Sequence, residues 1–182
     1  MRKKLEEKLD IPSGVVCELK DNSIVCTKSS NSLSKSVNIP GIKIEIKGSE
    51  IILSAERGNK NIYKNIISLV AHLKNLFKGL DREYVYTLEA CNVHFPMTLK
   101  LEGESLIINN FLGEKTSRKA KIFAGVKTEI KGTKIILRSR DKEAAGLSAA
   151  NIERATKVKN RDRRIFQDGI YITEKAGGDS NA

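Results

Sequence analysis

One thirteen-residue stretch of this chain recurs, nearly unchanged, 84 residues later. GIKIEIKGSEIIL spans residues 41–53, and GVKTEIKGTKIIL spans 125–137. Nine of the thirteen positions are identical, and two of the others exchange Ile for Val and Ser for Thr. Each copy alternates apolar and polar side chains, the pattern of a strand with one buried face. Gly48-Ser49 and Gly132-Thr133 fit two-residue turns that open on glycine, where the backbone needs a positive φ. That register sets Ile46 opposite Ile51 and Ile44 opposite Leu53, and likewise Ile130 opposite Ile135 and Thr128 opposite Leu137.

A further hairpin precedes each copy. VVCELKDNSIVC (15–26) turns at Asp21-Asn22 and sets Cys17 against Cys26, while MTLKLEGESLII (97–108) turns at Gly103-Glu104. A helical segment follows each copy. In 61–80, Ile62, Ile66, Leu69, Val70, Leu73, Leu76, Phe77 and Leu80 recur at steps of three and four, a broad apolar stripe that should cover a sheet. Gly79 is its expected stop. The second helix is expected from about Leu147 to Lys159, with a small apolar face of Ala145, Ala149, Ile152, Ala155 and Thr156. The fold expected is α+β: a tandem duplication of a small domain, each copy an antiparallel four-strand sheet covered by one helix. Residues 1–81 form the first copy, 82–175 the second, and 176–182 a disordered tail.

The 33 Lys and Arg outnumber 22 Asp and Glu, a net charge of +11. Such a balance favours a polyanionic partner. No apolar run approaches the ~18 residues that cross a bilayer, so a membrane is not expected. MRKKLEEKLDIP lacks the apolar core of a signal peptide, and three cysteines without such a signal read as reduced thiols of a cytoplasmic protein. Residues 1–81 hold 14 basic and 9 acidic side chains, and 82–182 hold 19 and 13. The halves are similar in total, but in the second the charge is gathered.

RATKVKNRDRR (154–164) carries Arg154, Lys157, Lys159, Arg161, Arg163 and Arg164 against Asp162 alone. On a continuing helix Arg154, Lys157 and Arg161 would share the face opposite Ile152. GEKTSRKAK (113–121) adds Lys115, Arg118, Lys119 and Lys121 in the connection between the hairpins of the second copy. The equivalent connection in the first copy, 27–36, has only Lys28 and Lys35. Charge runs are commonly solvated faces. These are single-signed and rich in arginine, which forks two hydrogen bonds to a phosphate. No aromatic residue stands within 154–164, which argues against a stacking platform for single strands and for phosphate and groove contacts to folded RNA.

An enzyme reading finds little. His72 and His94 are isolated, Cys17, Cys26 and Cys91 lack metal-ligand spacing, and GxGxxG, Walker, GxSxG and HExxH patterns are missing. No catalytic residue, metal, cofactor or small-molecule substrate is expected.

From Val158 the chain reads VKNRDRRIFQDGIYITEK, with the spacing R-x-x-R-x-F-x-D-G-I-Y-I-x-x-K from Arg161 to Lys175. This resembles the C-terminal signature of the universal large-subunit ribosomal protein six family, in its archaeal and eukaryotic form (number nine in the eukaryotic scheme). IPSGV (11–15), HFP (94–96), NNFLGEK (109–115) and SAANIERA (148–155) agree in order, so the resemblance runs from Ile11 to Lys175. The chain departs from the family at Arg154, usually Gln, and at KSSNS (28–32), usually a KGPRG-like turn; no contact is carried over to that loop.

The resemblance implies a duplicated α+β fold and a structural role in the large ribosomal subunit. It implies binding to the 3′ domain of the large rRNA near the sarcin–ricin loop and the translation-factor site, mainly by the C-terminal copy. Neighbouring large-subunit proteins and nearby translation factors are the other implied partners. Arg154, Lys157, Lys159, Arg161, Arg163, Arg164 and Lys175 are expected to meet rRNA, with Lys115, Arg118, Lys119 and Lys121 as a second line. Phe166 is expected to anchor the loop, and Asp168 to cap backbone or orient an arginine. The alternative is a general module for structured RNA outside the ribosome.

Overall fold

A computed structural model describes residues 3–37, 39–162 and 164–176. The chain divides into two compact units, Met1–Arg82 and Glu83–Ala182. In the first, β1 (Lys3–Asp10), β6 (Glu50–Gly58) and β5 (Lys43–Lys47) form one antiparallel sheet in the order β1-β6-β5. β2 (Val16–Lys20), β3 (Ser23–Lys28) and β4 (Asn31–Ser36) form another, and α1 (Lys60–Asp81) packs against strands of both.

The second unit repeats this element for element. β7 (Tyr84–Cys91) stands where β1 did, beside β12 (Lys134–Ser139) and β11 (Lys127–Lys131). β8 (Thr98–Glu102), β9 (Ser105–Asn109) and β10 (Arg118–Lys121) make the counterpart of β2-β3-β4, and α2 (Lys142–Ala155) is the counterpart of α1. Among the described residues one strand has no counterpart: β13 (Gly169–Glu174) pairs with the other edge of β7 and makes that sheet four-stranded, β11-β12-β7-β13. The fold is α+β, a tandem duplication of an antiparallel domain with one helix per copy.

All four hairpins keep the register read from the sequence. Ile46 faces Ile51, Ile130 faces Ile135, Leu19 faces Ile24 and Leu101 faces Leu106. Gly48 and Gly132 take φ of 59° and 62°, and a Cβ at either would meet nothing within 4 Å. Glycine is there for its backbone, not for room. Cys17 and Cys26 sit opposite as free thiols, Sγ to Sγ 2.8 Å.

Two expectations need correction. Each copy is built on two sheets rather than one four-strand sheet, because 31–36 and 118–121 are third strands rather than connections, and 3–10 is a strand as well. Their sequences are polar or charged, and only alternate residues such as Leu33 and Ala120 turn inward. The first helix also runs through Gly79 to Asp81, since Gly79 and Leu80 are both buried in its last turn. Asn59 starts that helix by accepting the Ile62 N–H at 2.9 Å. Its fully buried Ile66 and Leu73 each contribute about 2 kcal/mol relative to exposure.

The second core gathers Leu88, Leu106, Ile108, Phe111, Ile135, Leu137 and Ile152, all fully buried. The small residues Ala145, Ser148 and Ala149 bring α2 close to its sheets. Ser148 Oγ accepts the Phe123 N–H at 2.9 Å and donates to Ala144 at 2.7 Å.

Candidate RNA interface

The two basic clusters lie beside one another in the second unit, and the end of α2 explains how. The helix was expected to run to about Lys159, but it stops at Ala155. Thr156 ends it: its hydroxyl reaches back toward Glu153 O at 3.3 Å and accepts the Ile170 N–H of β13 at 2.9 Å. The chain then alternates, with Lys157 and Lys159 exposed and Val158 buried. Asn160 enters the left-handed region at φ 57°, which Asn tolerates better than most residues. Arg154, Lys157 and Arg161 therefore do not share a helical face. Arg154 is on α2, and the other two are on the loop that follows.

That loop is folded back on aromatic and acidic anchors. Asp162 Oδ1 accepts the Arg164 N–H at 2.9 Å and lies 3.3 Å from Arg164 Nε. The Arg164 side chain is nevertheless 91% exposed. Arg161 carries its guanidinium 4.7 Å from the Phe166 ring centroid, and Phe166 stacks on His94 at 4.9 Å. Phe166 is half-buried against the core, an anchor as expected. Arg163 lies outside the described residues.

Asp168 caps backbone, and among the described residues its carboxylate partners are Val93 and His94. Its Oδ1 accepts the N–H groups of Val93 and His94, each at 2.9 Å, and its Oδ2 is 2.6 Å from His94 Nδ1. Burial by itself would raise the carboxyl; the backbone N–H of His94, the His94 ring and the Val93 N–H together hold it down at about 2. His94 is thus held by Asp168 on one side and by the Phe166 ring on the other.

The second cluster starts from a tight 3-10 turn, Phe111–Gly113, flanked by Asn110 at φ 58° and containing Leu112 at φ 51°. Glu114 leaves this turn and meets Arg118 in a two-pronged pair, Nε to Oε2 2.8 Å and Nη2 to Oε1 2.6 Å. The pairing lowers the Glu114 carboxyl, to which nearby Arg161 adds. Arg118 Nη1 donates to Ala155 O at 2.8 Å, and its guanidinium sits 4.1 Å from the Phe111 ring centroid. The sequence reading places Arg118 among the RNA contacts; here each of its three nitrogens makes one bond within the protein. It ties β10 to the end of α2 and so brings the two clusters together.

Lys119 and Lys121 point outward from β10, while Ala120 between them is buried. Lys121 Nζ lies 5.9 Å from the Phe123 ring, and Asn151 Nδ2 donates to Lys121 O. Lys115 is exposed after the turn, and Lys175 is exposed just past β13. Among the described residues, the exposed cations of the two segments are thus Arg154, Lys157, Lys159, Arg161 and Arg164 in one, and Lys115, Lys119 and Lys121 in the other. Sequence reasoning passed over Tyr171, exposed on β13 beside this group. The outward phase of D-G-I-Y-I, period two from buried Ile170, carried that signal.

Among the described residues no group of three or more His, Cys, Asp or Glu could hold a metal ion, and no helix is long and apolar enough to cross a membrane.

The chain is similar to known proteins over almost its full length. Residues 95–169 match the family model described as Ribosomal protein L6. A protein of Methanococcus vannielii, named Large ribosomal subunit protein uL6, is 39% identical over 173 residues, 95% of each chain. Its namesake in Methanosarcina mazei is 39% identical over 176 residues, 97% of this chain and 100% of that one. At that identity over that length, the chain belongs to the uL6 family of large-ribosomal-subunit proteins.

Proposed function

We propose that this protein is a structural, non-catalytic constituent of the large ribosomal subunit in the cytoplasm, and that its second unit grips the large-subunit rRNA. The observation that carries the reading is the Arg118 tie, which joins two strongly cationic segments, 115–121 and 154–164, at the end of one helix. Exposed lysines and arginines so gathered suit phosphates of a folded RNA. The 3′ domain of the rRNA near the sarcin–ricin loop and the factor-binding site is the target we propose, with neighbouring large-subunit proteins and passing translation factors as further contacts. Lys115, Lys119, Lys121, Arg154, Lys157, Lys159, Arg161, Arg163, Arg164 and Lys175 are the proposed contact residues; Arg118 serves them by position.

Binding to protein-free large-subunit rRNA, compared with an unrelated structured RNA across a salt series, tests this. Tight binding to the former that survives salt which strips the latter supports the ribosomal role. Equal affinity for both, with one steep salt slope, favours a general structured-RNA module.

A further inference from the structure

Between the end of α2 and β13 the surface opens into a cleft of about 600 Å³. Its walls include Ala150, Glu153, Arg154, Lys157, Phe166 and Tyr171. That volume falls among ordinary small-ligand sites, roughly 300–1,000 Å³. Its lining mixes three chemistries that a smooth RNA backbone does not need together: cations, a carboxylate and an aromatic ring.

Each wall narrows the occupant. Arg154 and Lys157 suit phosphate oxygens. Glu153, whose Oε1 lies 3.5 Å from the Ile172 N, brings a carboxylate that repels a bare phosphate and accepts from an N–H or O–H donor. Phe166 already stacks on His94 and carries Arg161 over its ring. Tyr171 is 41% exposed and is held in place: its hydroxyl donates to Gln167 O at 3.2 Å, and its ring lies against Gly169, where a Cβ would come within 3.1 Å. A pinned aromatic surface beside a hydrogen-bond acceptor and two cations matches a nucleotide: a base to stack, an amino group or 2′-hydroxyl to donate, and a phosphate.

We propose that this cleft takes one unpaired nucleotide of the rRNA, its base against Tyr171, its phosphate on Arg154 and Lys157, and its amino or 2′-hydroxyl group on Glu153. The proposal rests on the rRNA-binding reading above and adds a discrete pocket to it. A single exposed ring is too little to track a strand and enough to receive one base.

The test uses the full chain and protein-free large-subunit rRNA. Ala150→Trp fills the cleft without changing charge. It is expected to weaken binding about tenfold to a hundredfold, the range of one lost base stack, while the salt slope falls by only about one phosphate contact. Tyr171→Ala is expected to do the same, and Tyr171→Phe to bind as the parent does. Ultraviolet crosslinking of the parent complex should leave a nucleotide adduct on the tryptic peptide 165–175, lost in Ala150→Trp. Circular dichroism melts establish that each variant folds; where Ala150→Trp does not, Tyr171→Ala against Tyr171→Phe decides. A folded Ala150→Trp or Tyr171→Ala that binds within about twofold of the parent overturns the pocket while leaving the basic interface standing; it is also the result expected if the cleft instead holds a side chain of a neighbouring protein. A parent that fails to bind the rRNA at all overturns the underlying reading.

Discussion

Asp168 holds His94 from two directions, accepting its backbone N–H with one oxygen and meeting its Nδ1 at 2.6 Å with the other. The carboxylate joins the entry of β13 to the segment after β7, and it is almost wholly buried. Asp168→Ala leaves the N–H groups of Val93 and His94 without their acceptor and is expected to cost about 3 kcal/mol. Chemical denaturation followed by circular dichroism measures it.

The same carboxylate sets a pH dependence of known sign. Its value of about 2 lies below its ordinary 3.8, so between those values the unfolded chain binds the proton and the native one does not. Stability from this group is therefore complete above roughly pH 5 and is lost as pH falls toward 2, by about 2 kcal/mol in all. Denaturation midpoints between pH 5 and 2 should fall less steeply for Asp168→Ala than for the parent; parallel curves would contradict the assignment.

Arg118 and Lys119 are adjacent in sequence and should behave differently. Lys119→Ala is expected to leave the melting temperature in place and to reduce the salt slope of rRNA binding by about 0.7–0.9, one phosphate contact. Arg118→Ala should instead lower stability by about 2 kcal/mol, because it removes a two-pronged pair and the bond to Ala155. Arg118→Lys should recover little of this, since an ammonium cannot reproduce the fork.

The repeated turns give a test of equivalence between the copies. Gly48→Ala and Gly132→Ala each force a side chain into the left-handed region without any clash, at about 1 kcal/mol apiece. Equal costs in the two single variants are expected, and a disparity of more than twofold would mean that the two hairpins are not held alike.

The hairpins were legible because period-two patterning and Gly-led turns are local facts. Ile46 can meet Ile51 in only one register that turns both inward. β10 was not legible, because in RKAK only Ala120 declares an inner face, and the rest resembles a charged loop. The end of α2 was hidden for a different reason. Residues 154–164 suit a helix well enough by composition, and what stops the helix is the Thr156 hydroxyl finding Ile170, fourteen residues on. The two basic clusters were readable from charge alone, since runs rich in Lys and Arg are visible in a string. The role of Arg118 was not, because it depends on how near Ala155 O comes to β10. Tyr171 was missed because a lone exposed aromatic in a strand gains meaning only from the cleft beside it.

The Thr156–Ile170 hydrogen bond closes the neck of the basic loop. Beyond it, Val158 is buried in the core and Phe166 is seated on His94. A loop tied at its neck and at two points along its length has already given up much of its conformational freedom during folding. Under the proposed RNA reading, little of that backbone cost is left for the encounter. The consequence is kinetic: loosening the neck, as in Thr156→Val, should shorten the lifetime of an RNA complex far more than it slows its formation.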